Sequence, residues 1–170
     1  EWRAQVQRLV DAGLSPTHLD SHHHTHLWPG LTKVVAALAR EYDIPAARFI
    51  SPESFRIMGV GGLERSIANV SWRRAQRLDL AKPDTVVGIG TFPGDKEGMA
   101  VYLALLGQGV HELFCHPGSA KDIPLAEISS LTEKRYAETE LLLAPWLRNV
   151  LTDADINLVD YRYFREEKVI

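Results

Sequence analysis

Hydrophobic residues recur along this chain in two spacings, and the two spacings alternate. Helical spacing, with apolar residues three or four positions apart, covers five stretches: residues 1–12, 31–42, 63–80, 96–106 and 131–150. Short apolar runs of the kind that form strands lie between or after them: residues 16–21, 47–50, 85–89, 110–115 and 157–160. Loops are predicted over the glycine-rich residues 55–62 and over the polar residues 121–130.

This alternation predicts an α/β fold, in which a parallel sheet is covered by outer helices. The chain has 170 residues, so a single domain over residues 1–170 is expected. A complete eight-stranded barrel needs about 250 residues, and the chain would therefore form only a large part of a (β/α) barrel. An incomplete barrel exposes a sheet edge, which leaves a homodimer open as one way to cover it.

Composition narrows the function classes without naming one. The hydrophobic fraction is 45% and the charged fraction 24%, as in ordinary soluble globular proteins. The net charge is −3 with scattered basic residues, which argues against a nucleic-acid partner, and no apolar run is long enough for a membrane span. The single cysteine, Cys115, excludes an internal disulfide and predicts a reducing, cytoplasmic compartment with a buried thiol.

Candidate chemistry is concentrated in residues 17–27, which read Thr-His-Leu-Asp-Ser-His-His-His-Thr-His-Leu and hold five of the seven histidines. An extended backbone would place the even positions on one face: His18, Asp20, His22, His24 and His26. Neutral imidazole and carboxylate are ligands of divalent metals. The segment therefore predicts a metal or catalytic site. The alternatives are a solvated loop and, for His18 and His23, structural roles.

Polar residues follow each of the first four predicted strands, at the end where parallel α/β folds form their sites. These residues are His22–His26, Ser51 with Glu53, Thr91 with Asp95, and His116. His116 precedes Pro117-Gly118, so it either caps a tight turn or exchanges protons near a bound metal. We expect the two histidine-bearing loops to converge on one pocket.

Three segments together resemble the YdjC-like carbohydrate deacetylases, the family of chitooligosaccharide deacetylase. They are residues 16–26, residues 109–118 (Gly-Val-His-Glu-Leu-Phe-Cys-His-Pro-Gly) and residues 135–141 (Arg-Tyr-Ala-Glu-Thr-Glu-Leu). The resemblance implies a distorted (β/α) barrel that hydrolyses N-acetyl groups of amino sugars or chitooligosaccharides with a divalent metal ion, Mg²⁺ or Zn²⁺. An N-acetylated amino sugar is then the expected partner.

The resemblance also implies roles for single residues. His22 would be a metal ligand, Asp20 would orient a ligand or hold water in the catalytic centre, and His116 would donate a proton to the departing amine. The remaining matched or neighbouring residues would line the pocket, position other groups or pair internally: His24, His26, Arg48, Arg135 and Glu138.

This sequence departs from the family pattern at one point. Family members begin with a strand that ends in an Asn-Ala-Asp-Asp-Phe-Gly type motif, which supplies an aspartate ligand and the base, and a second ligand histidine follows. Neither motif occurs here. We expect upstream sequence to be absent, so that the chain is the C-terminal portion of the barrel and is inactive as a fragment. A degenerate relative is the alternative.

Two other functions remain open. Asp20-Ser21-His22-His23-His24 also suits an amidohydrolase or phosphoesterase of the His-x-His type. Those enzymes need several more ligands at later strand ends, where His116 is the only good candidate. A non-catalytic metal-binding or sugar-binding remnant is the third option, and the missing aspartate motif favours it.

Overall fold

The structure is a computed structural model that describes residues 1–59, 61–92, 94–119, 127 and 130–166. Its α-helices are α1 (Trp2–Asp11), α2 (Thr32–Glu41), α3 (Pro52–Ile57), α4 (Gly62–Ala75), α5 (Lys96–Leu106), α6 (Thr132–Leu142), α7 (Leu147–Asp153) and α8 (Tyr163–Glu166). Its strands are β1 (His18–Leu19), β2 (Ala46–Ala47), β3 (Thr85–Gly88) and β4 (His111–Phe114). Short 3₁₀ helices cover His22–Leu27 and Ile89–Thr91.

The strand pairs in the described part of the chain are all parallel, as the alternating pattern predicted. β1 pairs with β2 in the register His18 to Ala46, and Ala46 also forms a parallel bridge with Ala81. β3 pairs with β4 from Thr85 opposite His111 to Gly88 opposite Phe114. The mixed α/β class with parallel pairing is confirmed, while closure into a barrel stays a prediction.

The chain divides into two compact units. The first comprises Glu1–Asp84 with Val159–Ile170, and the second comprises Thr85–Leu158. Buried residues of the first unit include Val35, Leu38, Ala46, Phe49 and Ala75. The core of the second unit contains Ile89, Met99, Leu103, Leu141 and Val150. The single-domain organisation of residues 1–170 stays a prediction.

The helix α5 shows how local sequence sets an element. The Asp95 carboxylate accepts a hydrogen bond of 2.7 Å from the backbone N–H of Gly98, which caps the first turn. Buried Met99, Tyr102 and Leu103 share one face at the spacing expected for a helix that packs on a core. Gly107 ends the helix with φ of 71°, a conformation that glycine adopts without strain.

Three predicted elements are wrong in whole or in part. Residues 55–57 belong to α3 instead of a loop, because Ser51 caps that helix at the N–H of Ser54 and Pro52 occupies its first turn. The helix predicted over 131–150 is broken into α6 and α7, since Pro145 lacks an N–H and disfavours helix at the residue before it. No strand forms over 157–160, where Leu158 and Val159 are exposed.

Two further points concern the described part of the chain. Of the polar loop predicted over 121–130, only Glu127 and Ser130 lie within the described residues. Among the helices that are described, none combines the length and the apolar character that crossing a membrane requires.

Candidate active site

The histidine-rich segment is not extended beyond Ser21. Ser21 itself has extended backbone angles, and 3₁₀-type turns then cover His22–Leu27. These turns are interrupted by a kink at His23 and His24, which both have φ of 52°, in the left-handed region that costs a non-glycine residue about 1–3 kcal/mol. The prediction that even-numbered side chains share one face is therefore wrong, because alternation of faces holds only in extended backbone.

His26 is a buried hydrogen-bonding residue that joins this segment to the residues after β2. Its side chain is 2% exposed. The Nδ1 atom lies 2.7 Å from Ser21 Oγ, and the Nε2 atom lies 2.5 Å from the backbone carbonyl oxygen of Arg48. Its ring also stands edge-on to Phe49, with ring centres 6.0 Å apart. Burial lowers the pKa of His26, although the Arg48 carbonyl opposes that change by accepting from the ring.

Asp20 lies beside this ring and pairs with an arginine. Arg48 donates from a guanidinium nitrogen to Asp20 Oδ2 over 2.5 Å. The Nδ1 atoms of His24 and His26 each lie 3.7 Å from Asp20 Oδ1. Burial alone would raise the pKa of Asp20, but the His24 hydrogen bond and the Arg48 charge together lower it to about 2. Asp20 is thus a carboxylate at neutral pH, held in a fixed orientation.

The other histidines of the segment differ in their surroundings. The side chain of His22 is exposed, and its ring meets that of His23 edge-on with centres 4.2 Å apart. His18 stacks on Tyr161 at 3.8 Å with an interplanar angle of 9°, which supports the structural role considered for it. The structure therefore groups Asp20, His24, His26 and Arg48 and leaves the His22 side chain at the surface.

In the second unit, His116 follows β4 on a turn that α6 holds in place. Its backbone N–H donates to Glu138 Oε2 over 2.5 Å, and its side chain is exposed. Phe114 lies edge-on to the His116 ring, with ring centres 5.5 Å apart. The Glu138 carboxylate therefore positions the backbone of this residue and leaves the imidazole accessible.

Thr139 is a contact residue that sequence reasoning missed. Its hydroxyl lies 2.9 Å from both the N–H and the carbonyl oxygen of Gly118. The same N–H of Gly118 also donates to the backbone carbonyl of Arg135 over 3.2 Å. The side chain of Arg135 has a buried Nε atom with no hydrogen-bond partner among the described residues. One sequence signal could have found Thr139: it lies next to Glu138 in the motif of residues 135–141.

At two glycines, one in β3 and one in the following turn, a side chain would fit only if a neighbouring side chain shifted. A Cβ atom at Gly90 would lie 2.9 Å from Glu138 Oε1, and one at Gly88 would lie 2.8 Å from the Phe114 ring. Adding a methyl group at Gly90 would therefore displace the carboxylate that holds His116. The Gly88 contact explains how the aromatic ring sits over the parallel pair of strands.

Several polar residues predicted near the site have structural roles. Ser51 and Asp95 cap the helices α3 and α5. Thr91 donates from its hydroxyl to the backbone carbonyl of Gly88. Cys115 is exposed, so its predicted burial is wrong. The reason is that Cys115 lies beyond Phe114, the last residue paired with β3, and enters the loop rather than the sheet.

Comparison with known proteins identifies the family. A family model described as YdjC-like protein matches residues 1–153. The chain belongs to the YdjC-like family. It is 31% identical over 165 residues to a carbohydrate deacetylase of Geobacillus stearothermophilus, covering 95% of this chain and 57% of that protein. It is 49% identical over 143 residues to a carbohydrate deacetylase of Halalkalibacterium halodurans, covering 84% of this chain and 52% of that protein.

A solved structure shares the fold of this YdjC-like chain. It is a protein of Enterococcus faecalis V583, provisionally described as a cellobiose-phosphate cleavage protein. The two agree with a TM-score of 0.72 and 26% sequence identity, over 96% of this chain and 58% of the other. The chain spans about half the length of the carbohydrate deacetylases that it matches.

The resemblance to YdjC-like deacetylases implies a divalent ion. Within residues 1–59, 61–92, 94–119, 127 and 130–166, no three His, Cys, Asp or Glu side chains are grouped so that they could hold one metal ion. Both ring nitrogens of His26 are engaged, and Asp20 is paired with Arg48. The exposed imidazole of His22 suits a single ligand, but the described residues alone do not fit a metal site.

His22 lies in the first compact unit and His116 in the second. Their convergence over one metal ion stays a prediction. The structure does show that each candidate histidine is flanked by residues that fix the local backbone, Ser21 with His26 in one case and Glu138 with Thr139 in the other.

Proposed function

We propose that this chain carries part of the active site of a metal-dependent carbohydrate deacetylase, which releases acetate from N-acetylated amino sugars or chitooligosaccharides. The observation that carries the proposal is the match of residues 1–153 to the YdjC-like family, with relatives that are carbohydrate deacetylases. The substrate class is taken from those relatives. The roles proposed for His116 and His22 come from the resemblance in their motifs, and the local geometry is compatible with them.

His116 is the proposed proton donor to the departing amine. Hydrolysis of an amide needs an acid at this point, because an unprotonated amine is a poor leaving group. A histidine serves at neutral pH because its ordinary pKa lies near 6.5. The exposed ring of His116 and the anchoring of its backbone N–H by Glu138 support this role.

His22 is the proposed contribution of this chain to the divalent-ion site, with Mg²⁺ and Zn²⁺ as the candidate ions. Its exposed side chain supports the assignment. Because the described residues bring no three ligands together, we propose that the other donors come from outside that set. The aspartate motif of the family does not occur in the 170-residue chain, so we expect this chain by itself to bind the ion weakly and to release little acetate.

Product analysis of the full-length protein tests the reaction type. The protein is incubated with N-acetylglucosamine oligomers and, separately, with a phosphorylated disaccharide, and acetate and phosphate are quantified. Metal-dependent release of acetate is the expected result. Release of phosphate without acetate would overturn the deacetylase proposal in favour of a phosphoesterase, and binding of the oligomer without turnover would favour a non-catalytic protein.

Calorimetric titration of the 170-residue chain with Zn²⁺ and Mg²⁺ tests the ligand assignment separately. Weak binding that His22→Ala abolishes is expected. Tight, stoichiometric binding would contradict it and would mean that Asp20, His24 or His26 rearranges to complete a site within this chain.

A further inference from the structure

We propose that Ser21 and His26 act together as a neutral hydrogen-bonded clamp, which fixes the turn carrying His22 onto the backbone after β2. The clamp is a property of this chain's own residues. Its importance for catalysis rests on the proposed function, because only the proposed role of His22 makes the position of this turn matter.

The hydrogen bonds determine where the proton of the His26 ring sits. The Arg48 carbonyl can only accept, so the Nε2 atom at 2.5 Å must carry a hydrogen. The Thr25 hydroxyl has one hydrogen, and the shorter of its two contacts is to Ser21 Oγ at 3.0 Å, against 3.3 Å to the backbone carbonyl of His22. If Ser21 Oγ accepts that hydrogen and the backbone N–H of His26 at 3.0 Å, its own hydrogen is directed to Nδ1 of His26 at 2.7 Å. We therefore assign the ring as neutral, with its hydrogen on Nε2.

This arrangement gives His26 a different role from that of a ligand or a proton carrier. Both nitrogens of the imidazole are used in bonds within the protein, and the ring is 2% exposed. A metal ion or a substrate would have to break one of these bonds to reach it. His26 is thus a positioning residue, as is Ser21.

The clamp acts on His22 through the backbone. Ser21 precedes His22 and His26 follows it, so the bonds between them close residues 22–25 into a turn. Two residues of that turn, His23 and His24, have positive φ. Since that conformation is unfavourable for residues with a side chain, contacts at both ends are needed to hold it. The Arg48 carbonyl then anchors the turn to the residue that follows β2.

A pair of variants at Ser21 separates this role from ordinary packing. Ser21→Ala removes the hydroxyl that donates to Nδ1, and Ser21→Thr keeps it. The measurement is a long-range ¹H–¹⁵N spectrum of the histidine side chains of the 170-residue chain. The signals of His26 are assigned as those that disappear in His26→Gln. In His26→Gln the side-chain amide can still donate a hydrogen bond to the Arg48 carbonyl, whereas in His26→Ala that bond is lost. His26→Gln is therefore the milder of the two changes.

The expected spectrum shows His26 with its hydrogen on Nε2. In Ser21→Ala the Nδ1 resonance should move toward that of a nitrogen without a donor, and in Ser21→Thr it should return to the parent position. Either of two results would overturn the clamp, whatever the activity of the protein. One is a His26 ring with its hydrogen on Nδ1, and the other is an Nδ1 resonance that does not move in Ser21→Ala.

Acetate release by the full-length protein then tests the consequence. Ser21→Ala should lower kcat/KM by roughly 10- to 100-fold, as expected when a reacting group is displaced by about an ångström, and Ser21→Thr should restore it. If the nitrogen signature changes but turnover does not, the clamp does not position His22 and that part of the proposal is overturned. If His22→Ala also leaves turnover intact, the proposed role of His22 has failed instead.

Discussion

Asp20 shows how a single residue can be held as a carboxylate in a partly buried place. Arg48 and His24 together outweigh the effect of burial, and the pKa of Asp20 falls to about 2 from 3.8. For an acid whose pKa is lower in the folded state, the contribution to stability is present above the unfolded pKa and is lost as the pH falls through the folded pKa.

The free energy of unfolding should therefore decrease as the pH falls from about 4 to about 2. Asp20→Asn cannot titrate, so its stability should depend less on pH over that range. Chemical unfolding at a series of pH values measures this, with the exposed Asp11→Asn in the same unit as the control. An Asp20→Asn protein that keeps the parent's full acid dependence would contradict the ion pair with Arg48.

His23 illustrates backbone strain at a residue without an assigned chemical role. Its φ of 52° is tolerated by histidine and asparagine better than by β-branched residues. His23→Val should lower the free energy of unfolding by about 1–2 kcal/mol, and His23→Asn should change it by less than about 0.5 kcal/mol. Urea unfolding measures both. Equal stability of the two variants would show that this turn does not require the left-handed conformation.

At the scale of elements, helix α6 holds the turn 116–118 through two neighbouring side chains. The Glu138 carboxylate accepts a hydrogen bond from the backbone N–H of His116, and the Thr139 hydroxyl forms hydrogen bonds with the backbone of Gly118. The motif in residues 135–141 pointed to Glu138 from the sequence, whereas the partners of both residues depend on where α6 packs. Side-chain partners that are about twenty residues away cannot be obtained from local spacing.

Thr139→Val removes the hydroxyl at almost constant size, and Thr139→Ser keeps it. The valine variant should destabilise the turn by about 1–2 kcal/mol, because a polar partner of Gly118 is lost. Amide hydrogen exchange measures this directly. The N–H groups of His116 and Gly118 should exchange faster in Thr139→Val than in the parent, and at the parent's rate in Thr139→Ser. Unaltered exchange in the valine variant would show that Thr139 does not hold the turn.

Local signals account for much of what could be predicted about the elements. The bounds 96–106 of α5 follow from Asp95, the apolar face and Gly107. Two of the wrong predictions also had local signals against them. Ser51-Pro52 is a signal for a helix start, and Pro145 is a signal for a helix break. The turn of the histidine segment is different in kind. No local pattern in residues 17–27 predicts positive φ, because the turn is closed by the Ser21–His26 bonds and anchored by the Arg48 carbonyl from outside the segment.

At the scale of the whole molecule, family membership rests on a match over residues 1–153, and the three motifs quoted from the sequence pointed to it. The motifs pointed to His22 and His116, whereas the hydrogen-bond partners of His26 and of Thr139 depend on the three-dimensional structure. The chain spans about half the length of the deacetylases that it matches. We propose that His22 and His116 both act in the same deacetylation reaction.

A double-mutant cycle on the full-length protein measures that claim most directly. kcat/KM for acetate release from N-acetylglucosamine oligomers is determined for the parent, His22→Ala, His116→Ala and the double variant, with His23→Asn as the exposed control. Each single change should cost roughly 100-fold or more, and the double variant should be little worse than the poorer single variant, because both groups act in one step. The account would be contradicted if the loss of kcat/KM in the double variant equalled the product of the two single losses, or if one single variant kept full activity.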